Sequence, residues 1–188
     1  MKYTIFKSFF DRLISIILLL ISLPIIIFAS LGIIISSPGP ILFKQVRVGY
    51  KGKLFIVYKL RTMEYNISQD PLFNDNSFKR KFRFGVFIRR LKIDELPQLI
   101  NVLIGDMSIV GPRPWIQKTC NMIPDWAHIR NKVRPGMTGL AQVNGNDLLS
   151  LRDKCFYDRE YVRNQSLLYD MKIIYKTIAV VLNGERLV

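Results

Sequence analysis

A chain of 188 residues can hold one domain with a real core but not two large ones. Hydrophobic residues make up 49% of it, 28 Lys and Arg stand against 14 Asp and Glu, and mean hydropathy is positive, which excludes an ordinary soluble domain. Apolar and strongly basic together, it is suited to dipping into lipid and facing anionic material: phospholipid head groups, phosphorylated substrates or nucleic acid.

Residues 13–35 carry no charged side chain and are rich in Ile and Leu. As one helix the run would measure about 35 Å, enough to cross a hydrocarbon core. It is too long for a signal peptide, and no small-x-small cleavage site follows it cleanly. Pro24 near its middle removes a backbone hydrogen bond and favours a kink, and Ser22 is placed to satisfy a freed carbonyl. Lys2, Lys7 and Arg12 precede the run, and the other basic residues follow it. Basic flanks favour the cytoplasm. A straight span forces one flank across, whereas a hairpin broken at Pro24 keeps both on one side. The residues alone leave span and hairpin equally open.

Beyond a stiff loop at 36–40 the pattern becomes that of a mixed globular domain. Residues 41–48 and 54–59 read as the strands of a hairpin turned at 49–53. Residues 64–78 are polar and loop-like, and 78–91 form a basic, aromatic helix. A second helix runs from Asp94 to about Ile104 and is ended by Gly105-Asp106. Compact turns follow at Gly111-Pro112-Arg113-Pro114 and at 134–139, and helical spacing of apolar residues over 167–182 gives a closing amphipathic helix. His128 is the single histidine, which argues against a histidine-based zinc site or triad; it and Trp126 read as packing residues. Cys120 and Cys155, without CxxC spacing, read as reduced thiols. Chemistry must therefore rest on carboxylates, Arg, Lys and backbone amides.

The most informative stretch is Asp94-Glu95-Leu96-Pro97. Asp94 reads as an N-cap with Pro97 in the first turn, and the helix dipole should keep both carboxylates ionised. Such a pair is most often a capped surface helix, but here Arg89, Arg90 and Lys92 come just before it. An ionised Asp can attack phosphorus, and a neighbouring Glu can hold the Mg²⁺ that bridges a diphosphate. Arg113, framed by prolines, is either a solvated support or a phosphate clamp, since guanidinium matches phosphate oxygens two at a time. Lys59 and Arg61 end a strand with two cations, solvated or facing the same pocket. The turn at 134–139, with Gln142 and Asn144 beyond it, offers amides to a base or ribose.

The block from Asp94 to Pro114, together with 39–45, Arg47-Val48-Gly49, 59–63 and 134–145, resembles the signature of the bacterial sugar transferase family. These are the monotopic polyprenyl-phosphate phosphoglycosyl transferases, and the likeness covers nearly the whole chain. The resemblance implies a re-entrant N-terminal helix that enters and leaves the cytoplasmic leaflet, broken at a Ser-Pro pair; here Leu23 separates Ser22 from Pro24. It implies Asp94 as nucleophile, Glu95 as its Mg²⁺-binding partner, Arg89 as the residue that orients the pair, and Arg113 on phosphate. The substrate-binding set expected around them is Lys59, Arg61, Pro112, Arg113, Arg134, Gly136, Gln142 and Asn144. With nothing before the re-entrant segment, the chain is similar to minimal forms of the family.

The implied fold is mixed α/β of the α+β kind. Residues 1–36 would be a re-entrant membrane helix broken near Pro24. Residues 37–188 would be a compact, mainly helical catalytic domain with a small β-hairpin and interfacial amphipathic helices. The implied activity is transfer of a sugar-1-phosphate from a UDP-sugar to polyprenyl (undecaprenyl) phosphate with release of UMP. It would take place on the cytoplasmic face of the bacterial inner membrane, as the first membrane step of surface polysaccharide or glycoconjugate synthesis. The expected partners are UDP-sugar, the polyprenyl phosphate lipid, the membrane and a second copy of the chain, with no nucleic acid. Two rival readings remain. A sugar-only glycosyltransferase would release UDP, but the Asp-x-Asp common in such enzymes is absent. A membrane-anchored basic scaffold gives no reason for the Asp-Glu turn.

Overall fold

The computed structural model describes residues 2–65 and 82–183. Most of the polar stretch expected over 64–78, and the beginning of the helix expected over 78–91, lie outside the described residues. Helix α1, Lys2–Ser36, is long and apolar enough to cross a membrane. Its helical structure continues through Pro24, so the expected break there does not end the helix. A proline takes one hydrogen bond from the ladder, and the turns on either side remain bonded. Ser22 Oγ donates to Leu19 O at 3.4 Å, not to the Leu20 carbonyl whose helical partner would be Pro24.

Helix α1 lies along the domain and does not project from it. Asp11, Ser15, Ser22, Ala29 and Ile33 are buried along one helical stripe. At the N-terminal end Tyr3 and Lys7 donate to Asp170, and Ser108 Oγ donates to Asp11 Oδ2 at 2.5 Å. At the other end Ala29 and Ile33 join Leu60, Phe82 and Ile88 in one apolar cluster. Both ends of the apolar helix are thus tied to the same domain. Its outer side exposes Ile5, Phe9, Leu20, Phe28 and Ile35, a continuous apolar surface too large for water.

Strands β1 (Leu42–Val48) and β2 (Leu54–Leu60) pair antiparallel from Leu42↔Leu60 to Val48↔Leu54, as the expected hairpin. The chain continues through α2 (Arg83–Arg90), α3 (Gln98–Ile104), β3 (Ser108–Val110), α4 (Gln117–Cys120), β4 (Gly136–Thr138), α5 (Leu140–Val143), α6 (Leu151–Asn164) and α7 (Leu167–Asn183). The fold is therefore α+β, as expected. Strands β3 and β4 pair in parallel, Ser108 with Gly136 and Val110 with Thr138. A Cβ on Gly136 would lie 2.1 Å from Gly111 N, so glycine is what lets the two Pro-containing turns meet.

The helix expected from Asp94 begins later. Ile93–Glu95 is a 3-10 turn entered through Lys92 at φ 57, and α3 starts at Gln98 with Pro97 as its N-cap. Asp94 is inside that turn and caps nothing. Helix α3 ends on Gly105, φ 93, where Asn101 O collects the N–H groups of Gly105, Asp106 and Met107. The fully buried Asn101 side chain accepts from Tyr58 N at 3.1 Å and donates to Ile56 O at 2.7 Å. These two bonds fasten α3 to β2 and bring the Asp94 turn beside Lys59.

Cys120 and Cys155 are free and buried with Val48, Trp115 and Ala127, in keeping with reduced thiols. Helix α7 buries Ile173 and exposes Leu168, Tyr175 and Leu182, so the closing helix is amphipathic as its spacing predicts.

Candidate active site

Asp94 is 6% exposed, and its Oδ1 has no hydrogen-bond partner. Burial, and then the charge of Glu95, push its carboxyl up to about 6 against the pull of Lys59, Arg89 and Lys92. The expected cause, a helix dipole acting on both carboxylates, is corrected here. Asp94 is not at the first turn of α3, and desolvation of the charged form dominates. Glu95 behaves differently. Burial alone would raise it, but Lys59 Nζ at 2.6 Å and Arg113 Nη2 at 3.3 Å share its Oε1, and with Lys92 they hold it at about 2. Two adjacent carboxyls are thereby driven apart, one locked as an anion and the other left with an open oxygen. Such divergence marks sites where neighbouring carboxyls do different work. Arg89, exposed at the end of α2, acts on Asp94 through its charge.

Of the expected binding residues, Lys59 and Arg113 converge on the dyad. Arg61 does not. It is 1% exposed, and its guanidinium donates to Pro40 O and Ser37 O at 2.7 Å, Ser37 Oγ at 2.8 Å and Met63 O at 3.3 Å. Strand β2 ends at Leu60, so the alternation that would align Arg61 with Lys59 stops one residue short. Arg61 clamps the loop between α1 and β1, and the structure does not bring it to the dyad. Pro112 O accepts from Gly136 N at 2.9 Å, so these two residues build the frame that carries Arg113. Arg134 Nη1 donates to Ser8 Oγ at 2.6 Å and so faces α1. Asn144 donates to Leu140 O at 2.8 Å and accepts from Lys176 at 3.4 Å, tying α5 to α7.

Gln142 faces a cavity of about 230 Å³ that Arg113 also lines, with Trp115, Asn146, Lys154 and Asp158. Its Nε2 donates to Met137 O at 3.3 Å, and its buried Oε1 has no partner. Sequence reasoning missed the far wall. Arg130 and Asp158, each with a side chain 4% exposed, pair at 3.3 Å. Arg130 also donates to Arg113 O and lies over the Trp115 ring, 3.3 Å from its centroid. It therefore holds the Arg113 backbone from behind. Lys154 and Asp158 are spaced i,i+4 on α6, a visible pattern, but nothing local to it says which distant turn that face meets. Gln98 is likewise missed: it is 3% exposed and its Nε2 is unpartnered, one turn beyond Asp94.

Among the described residues no group of three His, Cys, Asp or Glu side chains could hold a metal. Mg²⁺ needs fewer, since it keeps waters and substrate phosphates and takes one or two carboxylates from protein. The unpartnered, buried Asp94 oxygen beside an ionised Glu95 fits such a cation.

Comparisons with known proteins show the family. A relative in Bacillus subtilis (strain 168), described as an uncharacterized sugar transferase EpsL, is 41% identical over 96% of this chain and 89% of its own length. The exopolysaccharide production protein PSS of Rhizobium leguminosarum bv. phaseoli is 38% identical over 93% of this chain and 94% of its own length. The UDP-glucose:undecaprenyl-phosphate glucose-1-phosphate transferase of Escherichia coli (strain K12) is 39% identical over 87% of this chain, which spans only 37% of that longer protein. The profile of the family described as bacterial sugar transferase matches residues 2–184, and the chain belongs to that family.

Proposed function

We propose that this chain transfers a sugar-1-phosphate from a UDP-sugar to a polyprenyl phosphate, releasing UMP, in the making of a surface polysaccharide or glycoconjugate. The observation that carries the reading is the dyad, in which Asp94 has a free buried oxygen beside a Glu95 fixed by Lys59 and Arg113. Relatives named as undecaprenyl-phosphate sugar phosphotransferases support it.

In the first step an Asp94 oxygen attacks the β-phosphorus. The bond to the bridging oxygen breaks, UMP leaves with that electron pair, and a sugar-phosphoryl aspartate remains. In the second step a polyprenyl phosphate oxygen attacks the same phosphorus and the Asp94 carboxylate is released. Lys59 and Arg113 lower the repulsion between phosphates that each attack must overcome. Glu95 would hold Mg²⁺, which would supply further neutralisation of diphosphate charge.

The outer face of α1 and the exposed side of α7 suit burial in one leaflet, with lipid substrate reaching the dyad laterally. Both ends of α1 contact the domain, and basic residues flank its apolar run. These favour a re-entrant or in-plane helix, with the domain on the cytoplasmic face of the inner membrane. Incubating the membrane-bound enzyme with UDP-sugars and polyprenyl phosphate tests the reading. UMP release with formation of a polyprenyl diphosphate sugar is expected. Release of UDP instead would make it a sugar-only transferase.

A further inference from the structure

Resting on that reading, we propose that the cavity behind Arg113 is the nucleoside pocket, holding the ribose and uracil of the donor while Arg113 stays at its mouth with the phosphates. The cavity measures about 230 Å³, room for one nucleoside but not for a whole nucleotide sugar. Its charged lining is balanced, Arg113 and Lys154 against Asp147 and Asp158, with Trp115, Ala141 and Leu151 as apolar floor. A balanced, half-apolar lining suits a neutral ring with polar edges better than a phosphate.

One residue of its lining has an unmet hydrogen-bonding demand. Gln142 Oε1 is a buried acceptor without a hydrogen-bond donor, whereas the Asp158 carboxylate is already ion-paired with Arg130 at 3.3 Å. An unpaired buried acceptor costs about 1–3 kcal/mol, so the cavity calls for a molecule that brings donors, as ribose hydroxyls and the uracil imide do. The position separates the two ends of the donor. Helix α1 packs on α2, α3, β3 and the Asp94 turn, and none of these lines the cavity. The sugar-phosphate must be handed to lipid, so it belongs on the α1 side of Arg113. The nucleotide must leave to water, so it belongs on the side of α6.

The test is equilibrium binding of UMP to the full-length protein in lipid nanodiscs without acceptor lipid, alongside the donor KM. Gln142→Met keeps the volume and removes the free acceptor, and Lys154→Ala opens the far wall without touching the Arg130–Asp158 pair. Each should weaken UMP binding and raise donor KM about tenfold, the size of one lost hydrogen bond, with kcat nearly unchanged. UMP affinity unchanged in both variants, or no binding of UMP to wild type, overturns the pocket. A wild type that binds UMP in a Gln142-dependent way yet transfers nothing defeats the transfer reading and leaves the pocket standing. Normal transfer with variant-insensitive UMP binding does the reverse.

Discussion

Lys59 Nζ lies 2.6 Å from Glu95 Oε1, across a strand and a turn that are joined only by tertiary packing. That contact, reinforced by Arg113 at 3.3 Å, separates the chemistry of two neighbouring carboxyls. Glu95 is held at about 2 while Asp94 rises to about 6. Glu95 stays anionic beside its cations, and Asp94 keeps an oxygen without a partner.

Asp94→Asn removes the attacking oxyanion at nearly constant size, so the protein should fold and bind membrane while turnover falls by several orders of magnitude. Wild type given UDP-sugar without acceptor should release up to one UMP per enzyme and gain the mass of a sugar-phosphate on the peptide carrying Asp94. UMP that appears only with polyprenyl phosphate, and no trapped adduct, would point to direct transfer.

The pH dependence follows from the raised Asp94. Only the ionised carboxylate attacks, so the UMP burst rate should fall about tenfold per pH unit below about 6. An aspartate at its ordinary value would hold full rate to about 4. Glu95→Gln removes a charge that raises Asp94, so its residual activity should titrate at lower pH. Rapid-quench measurement of the burst decides this, and a rate flat from pH 7 to 5 contradicts it.

Arg113→Lys keeps the charge but loses the two-pronged donor geometry, so kcat/KM should drop at least tenfold, about 1.4 kcal/mol. Wild-type kinetics in this variant would remove Arg113 from the phosphate site.

Arg61→Met should damage the fold and not the chemistry. It leaves the Ser37 and Pro40 carbonyls without their donor and should cost about 3 kcal/mol of stability. Thermal unfolding in detergent should show the loss, while kcat/KM per folded enzyme stays close to wild type. An unchanged Tm with raised donor KM would restore Arg61 to the substrate site.

Topology can be read with cysteines placed at Lys2 and at Lys118, which is exposed on α4, since the native Cys120 and Cys155 are buried. Both should react with an impermeant reagent only from the cytoplasmic side. Labelling at position 2 from outside would mean a straight span.

How much was legible beforehand differs by element. The hairpin, the amphipathic α7 and the apolar α1 follow from periodicities of 2 and 3.6 and from an uncharged run, all local properties of the chain. Asp94, Glu95 and Arg113 were legible as candidates too, because rigid Pro- and Gly-framed turns carry their own signature, and the structure brings them together. Proline alone could not say whether α1 is interrupted, since one missing hydrogen bond is outweighed by packing along the whole stripe from Asp11 to Ile33.

Tertiary structure decided which cation meets which anion. Lys59 and Arg61 look alike in sequence, yet the end of β2 at Leu60 turns one to Glu95 and the other into the loop after α1. The far wall of the cavity, Lys154 and Asp158, and the Arg130 behind it were invisible for the same reason. Contacts between segments remote in sequence leave no periodic mark, and only the assembled core brings α6 behind the turn that carries Arg113.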